Sequence, residues 1–328
     1  MNKYEKELYL LALAEQEKAK VEEIFRSHHY LDSGYIGIAN KLQGCCHEIR
    51  LKDDGQGRYK LMPNYTCGVR FCPVCRFFSI RKELGKFHQV FKKIQADEYL
   101  KRARYYYLTL TLKDVPVGQL KDSIAHLNDS FERLLEKKDI KKFVLGSSSY
   151  LHIGLNDYDR VQPHLHVVMM FKSSYVSKQL LNKSQWASLW QEAAHEEYLP
   201  FIECSRIGKG TIENPSDYQD LSKRLIYSMK TLEMSDIDKY PSTYLQVFSL
   251  MKDVRKVSHK GVIRTLRAEV KADYAAILKE KNRASNDYDN HDGEDNDDHG
   301  DDYFISVMKY DESLQGYYQD HCIKYSKR

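Results

Sequence analysis

No run of 18 or more apolar residues occurs in the 328-residue chain, which removes a helical membrane span. The opening residues Met1-Asn2-Lys3-Tyr4-Glu5-Lys6-Glu7 are charged where a secretory leader would be apolar. These two absences lead us to expect a soluble, cytoplasmic protein with no membrane partner. No P-loop motif is present. Cysteines are few and odd in number: seven, at 45, 46, 67, 72, 75, 204 and 322. That argues against a disulfide framework, and the crowding of five between Cys45 and Cys75 points to metal instead. Lys and Arg are missing from residues 285–302, which carry nine Asp or Glu. The remaining chain then holds 51 basic against 38 acidic residues, or +13 against +4 overall.

A basic body with 25 tyrosines suits a polyanion partner, with aromatic rings available for base stacking, although a solvated surface has the same composition. The length allows one large domain or two ordinary ones, and 42% hydrophobic residues are ample for a core.

Residues 3–26 read as an amphipathic helix. Gly44-Cys45-Cys46-His47 follows, then Cys67-Gly68-Val69-Arg70-Phe71-Cys72-Pro73-Val74-Cys75. Cys72-x-x-Cys75 has the bite of a zinc knuckle, and Cys67 with either Cys45 or Cys46 completes four ligands; His47 is a weaker candidate. A thioredoxin-like redox pair is the competing reading, but its strand-to-helix context is weak. Helical pattern resumes from Phe77 to Leu100, with Arg76, Arg81, Lys82, Lys86, Lys92 and Lys93 placed for DNA phosphates or for a solvated face.

The most informative stretch is Pro163-His164-Leu165-His166 and the apolar run after it. Strand alternation sends His164 and His166 to one face and Leu165 and Val167 to the other. Ser149–Leu155 reads as a strand and residues 156–160 as a turn. A hairpin centred on Tyr158 sets His152 opposite His164 and Tyr150 opposite His166, so three imidazoles converge as in a metal site. Tyr107-Leu108-Thr109-Leu110-Thr111-Leu112 alternates as another strand, and residues 117–136 form a helix between the two. Strand, helix, strand, strand is the ferredoxin-like or RRM-like order, and a further helix is expected over residues 183–197.

Residues 214–230 predict a helix capped by Asn214 with Pro215 at its first position. Leu221, Leu225, Met229 and Leu232 make its buried stripe. Tyr227 lies about 200° from Leu225 and Met229, on a face shared with Lys223 and Lys230. A tyrosine between two ammonium groups is placed where a phosphate would come. Residues 240–270 carry further basic residues, Arg255 among them, that face DNA or solvent. The stretch 285–302 reads as a disordered acidic linker, and residues 303–328 as a short strand and helix.

His164-Leu165-His166 before an apolar run resembles the His-hydrophobic-His motif of HUH endonucleases. More narrowly, the chain resembles the replication initiator (Rep) proteins of rolling-circle plasmids. Tyr107–Leu112 is similar to the first Rep motif, Tyr227-Ser228-Met229-Lys230 to the third, and Arg70–Arg76 to the cysteine-rich segment of one Rep family. The departures are Lys223 where the family has an acid four before the tyrosine, Ile226 where it has lysine, and His152 where many relatives carry glutamate.

The resemblance implies an α+β fold: an antiparallel sheet with a ferredoxin-like HUH core, and a small N-terminal zinc-binding segment. The corresponding division is 1–35 N-terminal helix, 36–100 zinc segment and basic helix, 101–270 endonuclease domain, 271–302 linker and 303–328 C-terminal segment. It implies site-specific nicking and rejoining of single-stranded DNA through a 5′-phosphotyrosine. Tyr227 is the nucleophile, Lys230 its helper, and His152, His164 and His166 the ligands of Mg2+ or Mn2+. Zn2+ belongs to the cysteines, and Lys223 and Arg255 to DNA binding. The implied partners are double- and single-stranded plasmid origin DNA, a host helicase and DNA polymerase, with a homodimer allowed. An HUH transposase and a non-enzymatic zinc-dependent repressor are the alternatives.

Overall fold

A computed structural model describes residues 3–53, 59–63, 65–157, 159–175, 181–208, 215–288, 303–311, 313–314 and 316–325. In chain order these are α1 (Lys3–Ser27), α2 (Gly34–Gln43), β1 (Glu48–Asp53), β2 (Tyr59–Pro63), α3 (Pro73–Ala96), β3 (Arg104–Thr111), β4 (Val115–Pro116), α4 (Leu120–Glu136) and α5 (Lys138–Lys141). Then come β5 (Val144–Asp157), β6 (Arg160–Phe171), α6 (Lys183–Ala194), β7 (Ile202–Ile207), α7 (Pro215–Ser228), α8 (Met234–Lys239), α9 (Pro241–Leu250), β8 (Val257–Lys260) and α10 (Gly261–Tyr288). Two last strands, β9 (Tyr303–Asp311) and β10 (Gly316–Tyr325), complete the chain. The fold is α+β, and the strands pair antiparallel throughout.

The chain divides into two compact units, residues 1–79 with 283–328, and residues 80–282. In the first, a four-stranded sheet runs β10-β9-β1-β2, pairing Glu48 with Lys309 and Asp53 with Phe304. Residues 303–325 are thus two strands, where composition suggested a strand and a helix. Alternation in the tyrosine-rich tail was the available signal. Helix α10 runs to Tyr288, so it occupies the start of the expected linker; residues 289–302, and the Asn214 cap, lie outside the described residues.

The second unit holds a sheet ordered β7-β3-β6-β5-β8. Helices α4 and α6 bury one face, with Leu120, Ile124, Leu127 and Phe131 from α4 and Trp186 and Trp190 from α6. The other face carries Tyr105, Tyr107, Tyr150, Val168 and Met170, packed with Phe87, Phe91, Leu221, Leu225 and Ile263. Burial on both faces explains why the run after His166 is apolar without alternation.

One close approach locks β5 to the α10 end. Gly146 and Gly261 pair as an isolated bridge, Gly261 at φ +56°, and a Cβ there would run into the Leu145 carbonyl. Gly261→Ala adds both backbone strain and overlap, and is expected to cost about 1–3 kcal/mol. Thermal unfolding of the purified variant measures it; an unchanged melting temperature would contradict the packing.

Candidate metal and nucleophile site

The hairpin of β5 and β6 has the register that its turn implied. His152 pairs with His164 and Tyr150 with His166; the slip near the turn is confined between Leu155 and Asp157. Strand β3 lies on the other side of β6, with Thr111 opposite His164 and Thr109 opposite His166. The three imidazole centroids are 4.5, 5.3 and 5.0 Å apart, and one ring nitrogen of each lies within 4.8 Å of the others.

These rings are prepared for a cation. The His164 Nδ1–H donates to the Gln162 carbonyl at 3.1 Å, which leaves Nε2 as the lone-pair nitrogen. Thr109 Oγ1 stands 3.4 Å from His166 Nδ1. His166 Nε2 and both nitrogens of His152 are buried with no hydrogen-bond partner among the described residues. Burial, followed by the mutual repulsion of the rings, holds His152 at about 2 and His166 at about 3, and burial lowers His164 as well. Neutral imidazoles with buried, unpartnered lone pairs fit a divalent ion.

Helix α7 carries Tyr227 to this cluster. Leu221 and Leu225 anchor the helix, and Tyr227 stays 47% exposed, off the buried stripe, with its ring 5.2 Å from that of His166. Desolvation, then Glu233 and Glu203, push its phenol above the ordinary value, while Arg224 pulls it down. Helix α7 stops at Ser228, so Lys230 is not on its surface as the periodicity suggested. It lies two residues past the end, its N–H donating to the Tyr227 carbonyl at 3.1 Å. Its ammonium pairs with Glu233 at 3.4 Å, and Glu233 Oε1 is 3.9 Å from His152 Nε2. No local pattern marks Glu233: it is the N-cap of α8, yet its side chain does not cap that helix.

The remaining basic candidates divide. Lys223 and Arg255 are exposed. Along α3, Arg76 pairs with Glu17, Lys86 with Glu83, and Lys93 with Glu269 and Asp273, so those cations are already matched.

The cysteine cluster lies in the first unit. Sγ atoms of Cys45 and Cys75, Cys67 and Cys75, and Cys72 and Cys45 are 3.6, 3.5 and 3.8 Å apart. A zinc ion about 2.3 Å from four sulfurs needs edges of ~3.8 Å. Backbone N–H groups of Cys67 and Cys75 donate to the Cys45 and Cys72 sulfurs. The S–H groups of Cys46, Cys67, Cys72 and Cys75 hold Cys45 below a normal thiol, and its proximity pushes Cys72 up. Four thiols this close cannot all ionise unaided, which suits a cation that replaces the protons. Cys46 is not in the quartet: it has a positive φ of 52°, and its thiol donates to the Tyr65 carbonyl. Of the two alternatives for the first ligand, Cys45 is the one placed with the others.

A replication-protein family matches residues 58–317, well over half of the chain. The chain belongs to the Rep family of replication proteins. Plasmid replication initiation is its process, as the resemblance implied. A Bacillus sp. relative named protein rep is 29% identical over 259 residues, covering 72% of this chain and 81% of its own. A second, from Bacillus amyloliquefaciens, is 30% identical over 206 residues, 62% of this chain and 59% of its own. A third, from Lactiplantibacillus plantarum, is 26% identical over 262 residues, 77% and 80% respectively. No solved structure matches. The Rep match takes in three cysteines of the quartet, all three histidines and Tyr227; Cys45 precedes it. Among the described residues no helix is long and apolar enough to cross a membrane.

Proposed function

We propose that this chain nicks one strand of a plasmid double-strand origin and rejoins it, through a 5′-phosphotyrosine on Tyr227, to start rolling-circle replication. The observation that carries the proposal is an off-core tyrosine whose ring lies 5.2 Å from one of three clustered, unprotonated histidines. The β3–α4–β5–β6–α6–β7 succession, with β3 and β6 central, supports a ferredoxin-like HUH core.

His152, His164 and His166 would hold Mg2+ or Mn2+, which supplies charge to polarise a phosphate and stabilise its oxygens. A phenol with a raised pKa is a weak nucleophile in water, so positioning has to do much of the work. Tyr227 attacks in line: its oxygen bonds to phosphorus as the bond to the 3′ oxygen breaks. The phenolic proton passes to solvent, and the departing oxygen takes one up to leave a free 3′-hydroxyl. Lys230, whose charge Glu233 shares, steadies the phosphate or the emerging phenolate. The phosphodiester energy stays in the tyrosine linkage, so rejoining needs no ATP. Lys223 and Arg255 serve origin binding, zinc holds the cysteine quartet, and a cytoplasmic setting with host helicase and polymerase completes the reading.

The test is cleavage of a labelled single-stranded origin oligonucleotide with Mg2+ or Mn2+. His164→Ala and His166→Ala are each expected to lose cleavage by more than ~10²-fold while duplex origin binding holds, because the phosphate contacts lie elsewhere. A wild-type protein that binds the origin but never nicks would favour a repressor. Nicking confined to insertion-element ends would favour a transposase.

A further inference from the structure

Arg224 sits one turn before Tyr227 on α7, and its side chain is placed with care. Its guanidinium carbon stands 5.0 Å over the Tyr107 ring. Tyr107 is itself stacked on His166, with ring centroids 5.7 Å apart and planes inclined by 19°. Tyr227 meets His166 at 5.2 Å, so the guanidinium, the proposed nucleophile and an imidazole of the histidine cluster share one small aromatic group. Ser228 ties the arrangement together: its hydroxyl donates to the Arg224 carbonyl at 2.7 Å and lies 3.5 Å from the Tyr107 oxygen.

No carboxylate or carbonyl among the described residues accepts from this guanidinium, whereas the Lys230 ammonium is already paired with Glu233. Glu203 and Glu233 act on the Tyr227 phenol as negative charges. A phosphodiester entering beside these carboxylates therefore gains from a second cation besides Lys230, one whose charge no carboxylate shares among the described residues. A guanidinium seated over a ring, with no acceptor taken among the described residues, suits two phosphate oxygens in a way an ammonium does not.

We infer that Arg224 is a catalytic residue that grips the non-bridging oxygens of the scissile phosphate while Tyr227 attacks, Tyr107 serving as its platform. It donates hydrogen bonds and neither gives up nor accepts a proton; the bond made is Tyr227 oxygen to phosphorus and the bond broken is phosphorus to 3′ oxygen. The inference rests on the nuclease reading.

The experiment is single-turnover cleavage of a single-stranded origin oligonucleotide by the 328-residue chain at saturating Mn2+, with oligonucleotide affinity measured in parallel. Arg224→Ala is expected to slow cleavage by ~10²–10³-fold, as loss of a transition-state donor does, with affinity changed by less than about threefold. Arg224→Lys keeps charge without the fork and should recover only part of the rate. Tyr107→Leu should slow cleavage too, and the double variant should fall no further than Arg224→Ala alone. Melting temperature and zinc content identify any variant that fails to fold, and Arg224→Lys keeps the question answerable in that event. Wild-type adduct formation together with full-rate Arg224→Ala would overturn the role of Arg224 alone. Absence of any adduct from wild-type protein would overturn both the nuclease reading and this role.

Discussion

Tyr227→Phe protein is expected to bind a single-stranded origin oligonucleotide as wild type does and to leave no covalent protein–DNA band on a denaturing gel. The substitution removes one oxygen and keeps the ring against His166, so the contact at 5.2 Å survives. With Tyr227 47% exposed, no buried hydrogen bond is lost and stability should hold. The chain has 25 tyrosines, so the specificity of the claim matters. Tyr218, nine residues earlier on the same helix, is the nearest rival. It is tied elsewhere: its hydroxyl is 3.0 Å from His88 Nδ1, and its ring packs edge-on to Phe91 at 5.5 Å. Mass spectrometry of the tryptic nucleotide–peptide adduct decides between them. A nucleotide on Tyr218, or residual linkage in Tyr227→Phe protein, would sink the assignment.

The second large effect concerns the cysteines. Wild-type protein should hold one tightly bound zinc, and Cys72→Ser should lose it and unfold its unit. Structural zinc contributes on the order of 10–16 kcal/mol in small zinc-binding peptides, far more than any hydrogen bond the serine could add. Cys46→Ser is the discriminating control. Its thiol donates to the Tyr65 carbonyl, a bond that a hydroxyl can make, and its sulfur lies outside the quartet, so that variant should keep its metal. Metal analysis with thermal melting reads both. Zinc retained in Cys72→Ser, or lost in Cys46→Ser, would show the quartet wrongly drawn.

What could be read beforehand followed from strict periodicity. His152 and His164 face each other because a strand repeats every two residues and the turn has one centre of symmetry, so their pairing was open to arithmetic. The exposure of Tyr227 came from the helical repeat in the same way. The places where reading failed are those where the repeat ends. Helix α7 stops at Ser228, and the chain then turns so that Thr231 accepts a hydrogen bond from the N–H of Ile153. That turn, and not the helix face, sets Lys230 and Glu233 beside His152. Arg224 was hidden for another reason: its partner Tyr107 is 117 residues earlier, and no local pattern pairs a helix cation with a strand ring. Cys45 and Cys46 were indistinguishable by spacing, and a positive φ at Cys46 separated them.

The sheet that joins β1 to β9 has a consequence for synthesis. Its partners are Glu48–Asp53 and Phe304–Lys309, with the whole histidine-bearing unit translated between them. A ribosome moving along the message releases β1 and β2 early and must finish the inserted unit before β9 exists to pair with them. Closing such a distant contact costs more chain entropy than closing a hairpin, and the cost is reduced once the insert has folded and brought its own ends to fixed places. A message cut short before codon 303 therefore yields a protein with its histidines and Tyr227 in place but with β1 left as an open edge, a species exposed to pairing with other chains.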